Sequence, residues 1–305
     1  MSSMEVKAPI QNESNRSWGT AAITLIVSVG LSAGVVAALE GGTARAGSWP
    51  VIWICAALAF IIQWIAFVPA LLMKTEKFYD LTGSLTYLSV IICALILSDN
   101  PSPRALIIGV LVIVWSGRLG LFLFRRIKND GHDKRFDGVR DSFPRFLIGW
   151  TLQGLWVVLT LPAAWVAITS LNQKPFGFLD GIGLLIWILG FAIEAKADAQ
   201  KRIFRADAKN KGQFIRSGLW SWSRHPNYFG EIVLWIGIAI MASSVMVSYQ
   251  WVAWISPVFV TILLTKISGI PLLEEIADQR WGGQADYEAY KAKTPVLMML
   301  PPRRS

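Results

Sequence analysis

Charge is scarce in this chain. Only 16% of its 305 residues are Asp, Glu, Lys or Arg, against about 25% in a soluble globular chain. Apolar residues make up the difference, at 54% of the chain with a mean hydropathy of +0.48. They are gathered in long runs, which excludes a soluble globular domain and predicts a polytopic membrane protein. Cysteine is nearly absent. Cys55 and Cys93 both lie inside apolar runs, which argues for packing thiols rather than a disulfide or a metal site. His132 and His225 are the only histidines, too few for a histidine-cluster iron centre, and no metal is expected. The chain has no Gly-x-Gly-x-x-Gly turn, no Walker loop and no internal repeat. No cleavable signal peptide is expected either, because the first apolar run is long and follows a polar stretch.

What is present is a series of eight apolar runs, near 19–39, 50–73, 81–98, 105–124, 146–170, 179–197, 229–247 and 251–268. Each is long enough to span a bilayer as a helix. With the amino terminus inside, the segments on the inner face, together with the last inner turn of the spans, hold 25 of the 29 Lys and Arg residues. Such a bias satisfies the positive-inside rule and predicts both termini in the cytosol. The net charge of +9 is thereby concentrated on one face, beside helices at bilayer depth, which argues against a nucleic-acid partner. Part of it orients the chain and attracts anionic lipid heads. A cytosolic anion is the further partner it suits. Asn12 and Asn15 begin N-glycosylation patterns, but this topology keeps them inside. The loop "KNDGHDKRFDG" reads as a turn-rich inner loop with His132 as a surface residue.

Two stretches carry chemistry. In "GFAIEAKADAQKRIFRAD", Glu194, Asp198, Arg202 and Arg205 recur at helical spacing and form one stripe. Ion pairs at a solvated helix end would account for the arginines. Glu194 still lies among apolar neighbours, where a carboxylate is costly and marks function. In "RSGLWSWSRHPNYFGEIVLWIG", Pro226 lacks an N–H and belongs in a first helical turn, while His225 before it is pushed toward extended backbone. The seventh span is therefore predicted to begin near Pro226 or Asn227. A helix amino terminus flanked by Arg224 and His225 suits a phosphate or carboxylate. Asn227 adds an amide that donates and accepts, and Glu231 enters the bundle one turn deeper.

These motifs resemble the steroid 5-alpha-reductase superfamily, and more closely its bacterial branch of membrane-embedded reductase homologues. The resemblance begins near residue 75 and rests on "YDLTGSLTYL", "WSGRLGLFLFRR", "LQG", "GFAIEAKADAQKRIFRAD", "GLWSWSRHPNYFGE" and "SGIPLLEE" in that order. It implies an all-α bundle of seven to eight transmembrane helices that holds NADPH in a pocket open to the cytosol. It also implies two parts, an amino-terminal tail with two helices (1–74) and a catalytic bundle (75–305). Residues matching the family's cofactor positions are Asp198, Arg205, Asn227 and Glu231, with Arg118 and Arg126 in similar places on an earlier helix. Arg202, Arg224, His225 and Tyr290 complete the expected cofactor set. At the substrate end, Asp80 stands where the family has a glutamate, with Tyr79 and Tyr87 as hydroxyl donors.

The activity implied is reduction of the activated C=C bond of an enone in a steroid or similar lipid, in a bacterial inner membrane. Asp80 with Tyr79 or Tyr87 would polarise the carbonyl as enolate charge develops. Isoprenylcysteine and phospholipid methyltransferases, which use S-adenosylmethionine, share a similar Arg-His-Pro-x-Tyr-x-Gly element followed by a glutamate pair such as Glu274–Glu275. That alternative stays open at this point.

Overall fold

In the computed structural model, residues 8–130 and 136–301 are described, with side chains described over 16–124 and 136–301. Arg126, His132, Asn12 and Asn15 therefore lie outside the described side chains. The chain is 76% helical. Among the described residues, seven helices are long and apolar enough to cross a membrane, or eight if one bent pair is a single span. It is a multi-pass, all-α membrane protein.

Two compact units divide the chain, Met1–Gln173 with Val245–Ala253, and Lys174–Ser244 with Trp254–Ser305. The first unit contains α1 (Ala8–Leu39), α2 (Val51–Leu72), α3 (Tyr79–Leu97), α4 (Pro103–Asp130), α5 (Phe143–Thr160) and α6 (Pro162–Thr169). Buried Ala21, Ser28, Ser32, Val35 and Leu39 make one stripe of α1, which packs on α5 and α2. Ile23, Ile26, Val27 and Leu31 on its other side are exposed, as lipid contact requires. A two-residue hairpin, Arg45–Ala46 against Trp49–Pro50, closes the α1–α2 turn around Gly47 at φ +61°.

Proline sets several helix starts. Pro103, Pro144, Pro162, Pro226 and Pro271 each occupy a first turn, where the missing N–H costs no helical bond. Pro162 has a second effect. The predicted fifth span, 146–170, is not one straight helix but α5 and α6 bent by 52°, because proline cannot donate to the carbonyl one turn back.

The second unit contains α7 (Phe178–Ala206), α8 (Pro226–Ser243), α9 (Ile255–Ile262), α10 (Ile270–Trp281) and α11 (Ala285–Lys293). The last predicted span, 251–268, is irregular. It opens as a 3₁₀ segment, Ser248–Trp254, and ends as a π-turn at Leu263–Ile267. α7 and α8 make the most extensive helix contact of the fold, and four glycines explain it. A Cβ on Gly183 would stand 2.6 Å from the Gly237 carbonyl, and one on Gly190 would stand 2.6 Å from the Gly230 carbonyl. The glycines are spaced seven apart on each helix, so both contacts recur on one face and the backbones touch.

Any side chain at these four positions must force the helices apart. Gly190→Leu is expected to lower the melting temperature by about 10 °C or more, from an overpacking cost of several kcal/mol. Gly181→Leu, at an open position of the same helix, is expected to leave it nearly unchanged. Thermal unfolding in detergent, followed by tryptophan fluorescence, checks the contrast.

Candidate functional site

The α7–α8 contact places its polar residues. A Cβ on Gly230 would lie 2.6 Å from the Glu194 backbone nitrogen, so Glu194 sits against the first turns of α8. Glu194 is 2% exposed and Asp198, one turn on, is 6% exposed. Glu231 is also buried and Asn227 is half-buried. Arg202 and Arg205 continue the stripe on α7 but are exposed. The predicted stripe therefore changes character along its length, from buried carboxylates to solvated cations.

α8 begins at Pro226 as predicted, with His225 at φ −136°, ψ 61°. The segment before it is pinned back onto α7. Gln200 Oε1 accepts from the Leu219 N–H at 3.0 Å, and Trp220 Nε1 donates to the Ala197 carbonyl at 3.1 Å. Gly218 is required here. Its φ is +63°, and a Cβ would fall 2.4 Å from the Gln200 amide. On its other side the segment is covered by the chain after α11. The Arg224 N–H donates to the Pro295 carbonyl at 2.9 Å, Ser223 Oγ donates to Leu297 O at 2.9 Å, and Leu300 N–H donates to Trp222 O at 3.1 Å.

Arg224 and His225 do not simply flank a bare helix terminus. Both are held by Glu274 of α10, whose Oε2 accepts from Arg224 Nη1 and whose Oε1 lies 2.7 Å from His225 Nε2. Tyr228 stacks on the imidazole with ring planes 9° apart. A carboxylate can only accept, so His225 Nε2 carries the proton in this pair. In the neutral ring Nδ1 is then an acceptor, and it is buried with no hydrogen-bond partner, as is the Arg224 Nε–H. Burial holds the imidazole below its ordinary pKa, with Glu274 opposing that shift. Tyr290 Oη donates to the Trp220 carbonyl at 2.7 Å, and burial raises its pKa. Its hydroxyl braces the segment before α8.

The substrate-end residues belong to the first unit. Asp80 is half-buried in the first turn of α3. Tyr79 is wedged between Phe136 and Trp150, at ring distances of 4.8 and 5.2 Å, and its hydroxyl donates to the Gly149 carbonyl at 2.9 Å. Tyr87 is buried edge-on against Trp115 at 5.2 Å. Buried Glu76 binds Arg140 at 3.0 Å and so ties the corner before α3 to the segment before α5. Arg118 is half-buried on α4. Among the described residues no group of three or more His, Cys, Asp or Glu could hold a metal ion.

Sequence reasoning named Glu274 only as half of a glutamate pair, and it did not read the four glycines. Their heptad spacing inside two apolar runs was the signal that could have found them. Nothing local connects Glu274 to His225, 49 residues away.

Fold and site together define a membrane-embedded helical protein with a charged site at one end of its helices. The family model described as "Protein of unknown function (DUF1295)" matches residues 66–294, and the chain belongs to that family. The family is part of the steroid 5-alpha-reductase-like superfamily. An uncharacterised protein of Schizosaccharomyces pombe is 26% identical over 184 residues, 50% of this chain and 54% of that protein. Steroid 5-alpha-reductase DET2 of Gossypium hirsutum is 30% identical over 83 residues, 27% of this chain and 30% of that enzyme. The chain thus spans about half the length of the first relative and less than a third of the second. No solved structure matches it.

The depressed pKa of His225 has a pH consequence. Below about pH 6.5 an unfolded chain takes up a proton that the folded one resists, so stability falls as pH drops through that range. His225→Gln is expected to remove this part of the pH dependence while lowering stability at neutral pH. Glu274→Leu, which leaves half-buried Arg224 without its carboxylate, is expected to cost about 3 kcal/mol at pH 7. Melting curves from pH 5 to 8 test both.

Proposed function

We propose that this chain is an integral-membrane, NADPH-dependent oxidoreductase acting on a CH–CH group, which reduces the C=C bond of an enone in a steroid or steroid-like lipid. The observation that carries this reading is the pair of buried carboxylates, Glu194 and Asp198, held against the first turns of α8 beside Asn227 and Glu231. Carboxylates at such a place are retained for a polar ligand. The residues present suit a dinucleotide. Asp198 and Glu231 can accept from ribose hydroxyls, Asn227 can pair with a carboxamide, and exposed Arg202 and Arg205 can meet phosphates. His225 Nδ1 and Arg224 Nε, an acceptor and a donor buried without partners, fit a group that does both. Tyr290 supports the set through Trp220.

NADPH, when bound, supplies the hydride. The chain's own part in the chemistry falls to Asp80 and its neighbours, which hold a proton at the substrate carbonyl oxygen while negative charge develops there. The Tyr79 hydroxyl donates to the Gly149 carbonyl, and Tyr87 on the same helix is the alternative hydroxyl donor. Membership in the superfamily and the partial likeness to a plant steroid reductase support the same reaction class. In this reading both termini face the cytosol of a bacterium and the protein sits in the inner membrane.

One observation favours a second reading, an S-adenosylmethionine-dependent membrane methyltransferase. Glu274 joins the Arg224–His225 pair, which brings the glutamate of that alternative motif to its Arg-His-Pro element. S-adenosylmethionine carries a carboxylate that Arg224 could bind instead.

Purified protein in nanodiscs distinguishes the two. NADPH should be consumed on addition of a 3-oxo-4-ene steroid, and no methyl group should transfer from labelled S-adenosylmethionine. Asn227→Ala and Arg205→Ala are each expected to weaken NADPH binding about tenfold or more. Tight S-adenosylmethionine binding without NADPH binding would overturn the reductase.

A further inference from the structure

The interior of the first unit is polar in a way the reductase reading does not use. Gln63, near the middle of α2, has no solvent exposure. Its Nε2 donates to Thr86 Oγ1 of α3 at 2.8 Å, and that hydroxyl donates its only proton to the Thr82 carbonyl at 2.7 Å. The chain of donors fixes the orientation of the Gln63 amide. Thr86 can only accept from it, so Gln63 must present its NH₂ there, and its carbonyl oxygen is left buried without a partner.

A second glutamine meets the same stretch of α3 from another helix. Gln153 of α5 is 8% exposed, and its Nε2 lies 2.6 Å from where a Cβ on Gly83 would stand. Its Oε1 is also buried without a partner. α2, α3 and α5 all pack on one another, so Gln63 and Gln153 approach one turn of α3, Gly83 to Thr86, from two neighbouring helices. The neighbouring contacts are already made by other side chains. Phe60 fills the approach to Gly154, and Trp64 Nε1 finds Thr151 Oγ1 at 3.2 Å.

Leaving a buried amide oxygen unpaired costs about 1–3 kcal/mol, and two leucines would fill the same volume without that cost. The two oxygens are acceptors, so what completes them is a donor. At bilayer depth a cationic donor is expensive, which leaves a neutral O–H. Thr86 lies six residues beyond Asp80, about 9 Å of helix rise. An elongated lipid with its carbonyl at Asp80 therefore brings its opposite end to this level.

We propose that Gln63 and Gln153 form a hydroxyl-reading site within the first unit, which takes the end of the lipid substrate remote from its enone. The enone end rests on the reductase reading; the hydroxyl end rests on the two orphaned oxygens. The site selects lipids that carry an alcohol there over those that carry a ketone, which can only accept.

Testosterone and androstenedione are suitable probes, since they share the enone and differ in one hydroxyl or ketone at the far end. Equilibrium binding of the tritiated steroids to the full chain in nanodiscs, without NADPH, is expected to favour testosterone about tenfold or more. Gln153→Leu and Gln63→Leu should each bring the ratio near one. Gln153→Leu removes an unpaired buried acceptor, so its melting temperature should hold or rise, and misfolding cannot account for a lost preference. Equal binding of the two steroids, binding of neither, or a preference unchanged in both variants overturns the site and leaves a buried water as the partner of the glutamines. The preference without any NADPH consumption would sink the reductase and keep the site. Consumption of NADPH together with equal binding of the two steroids would do the reverse.

Discussion

The second unit depends on backbone touching backbone along α7 and α8. Within a bilayer there is no gain from burying one apolar surface against another, so helices associate through close van der Waals contact and polar groups. Gly183 against Gly237 and Gly190 against Gly230 supply that contact. The same approach sets Glu194 on Gly230, which brings carboxylates of one helix to the amino-terminal turns of the next. The glycines thus set the position of Glu194 and Asp198 relative to Asn227 and Glu231 as well as packing the helices.

Electrostatics at the start of α8 follows from what surrounds it. An exposed Arg-His pair before a helix amino terminus would concentrate positive potential. Here Glu274 takes up one bond from each residue, and Tyr228 and the chain after α11 shield the imidazole from water. The result is less a general anion attractor than an oriented set. The ring nitrogen facing away from Glu274 is an acceptor, and the guanidinium keeps one inner N–H for another partner. Exposed cations lie instead at the end of α7, at Arg202 and Arg205.

Much of the architecture was legible because bilayer thickness imposes one length and one composition on every span. All eight apolar runs are helical, and the start of α8 at Pro226 and the burial of Glu194 followed from local rules. The break at Pro162 is also a local rule, obscured because the run on either side stays apolar. What local pattern could not supply is pairing across distance. Glu274 reaches His225 from a helix whose own sequence gives no hint of it, and Gln63 finds Thr86 across 23 residues. Tyr79 illustrates the same limit in reverse. Its place in "FYDLTGS" marked it as a hydroxyl donor for a ligand, whereas Gly149, 70 residues on, already receives that proton.

The two units solve the cost of buried polarity in different ways, and the difference constrains what each can hold. The second unit buries carboxylates near helix ends, at Glu194, Asp198 and Glu231. Where α2, α3 and α5 of the first unit meet, the polarity is neutral, with carboxamides and threonine hydroxyls in a chain that ends on unpaired oxygens. A charged ligand there would lose far more hydration than two amide oxygens could return. A neutral one loses little, and a single O–H matches what is missing. The proposed reductase calls for chemistry of both kinds, since one of its reactants is dissolved in water and the other in the bilayer.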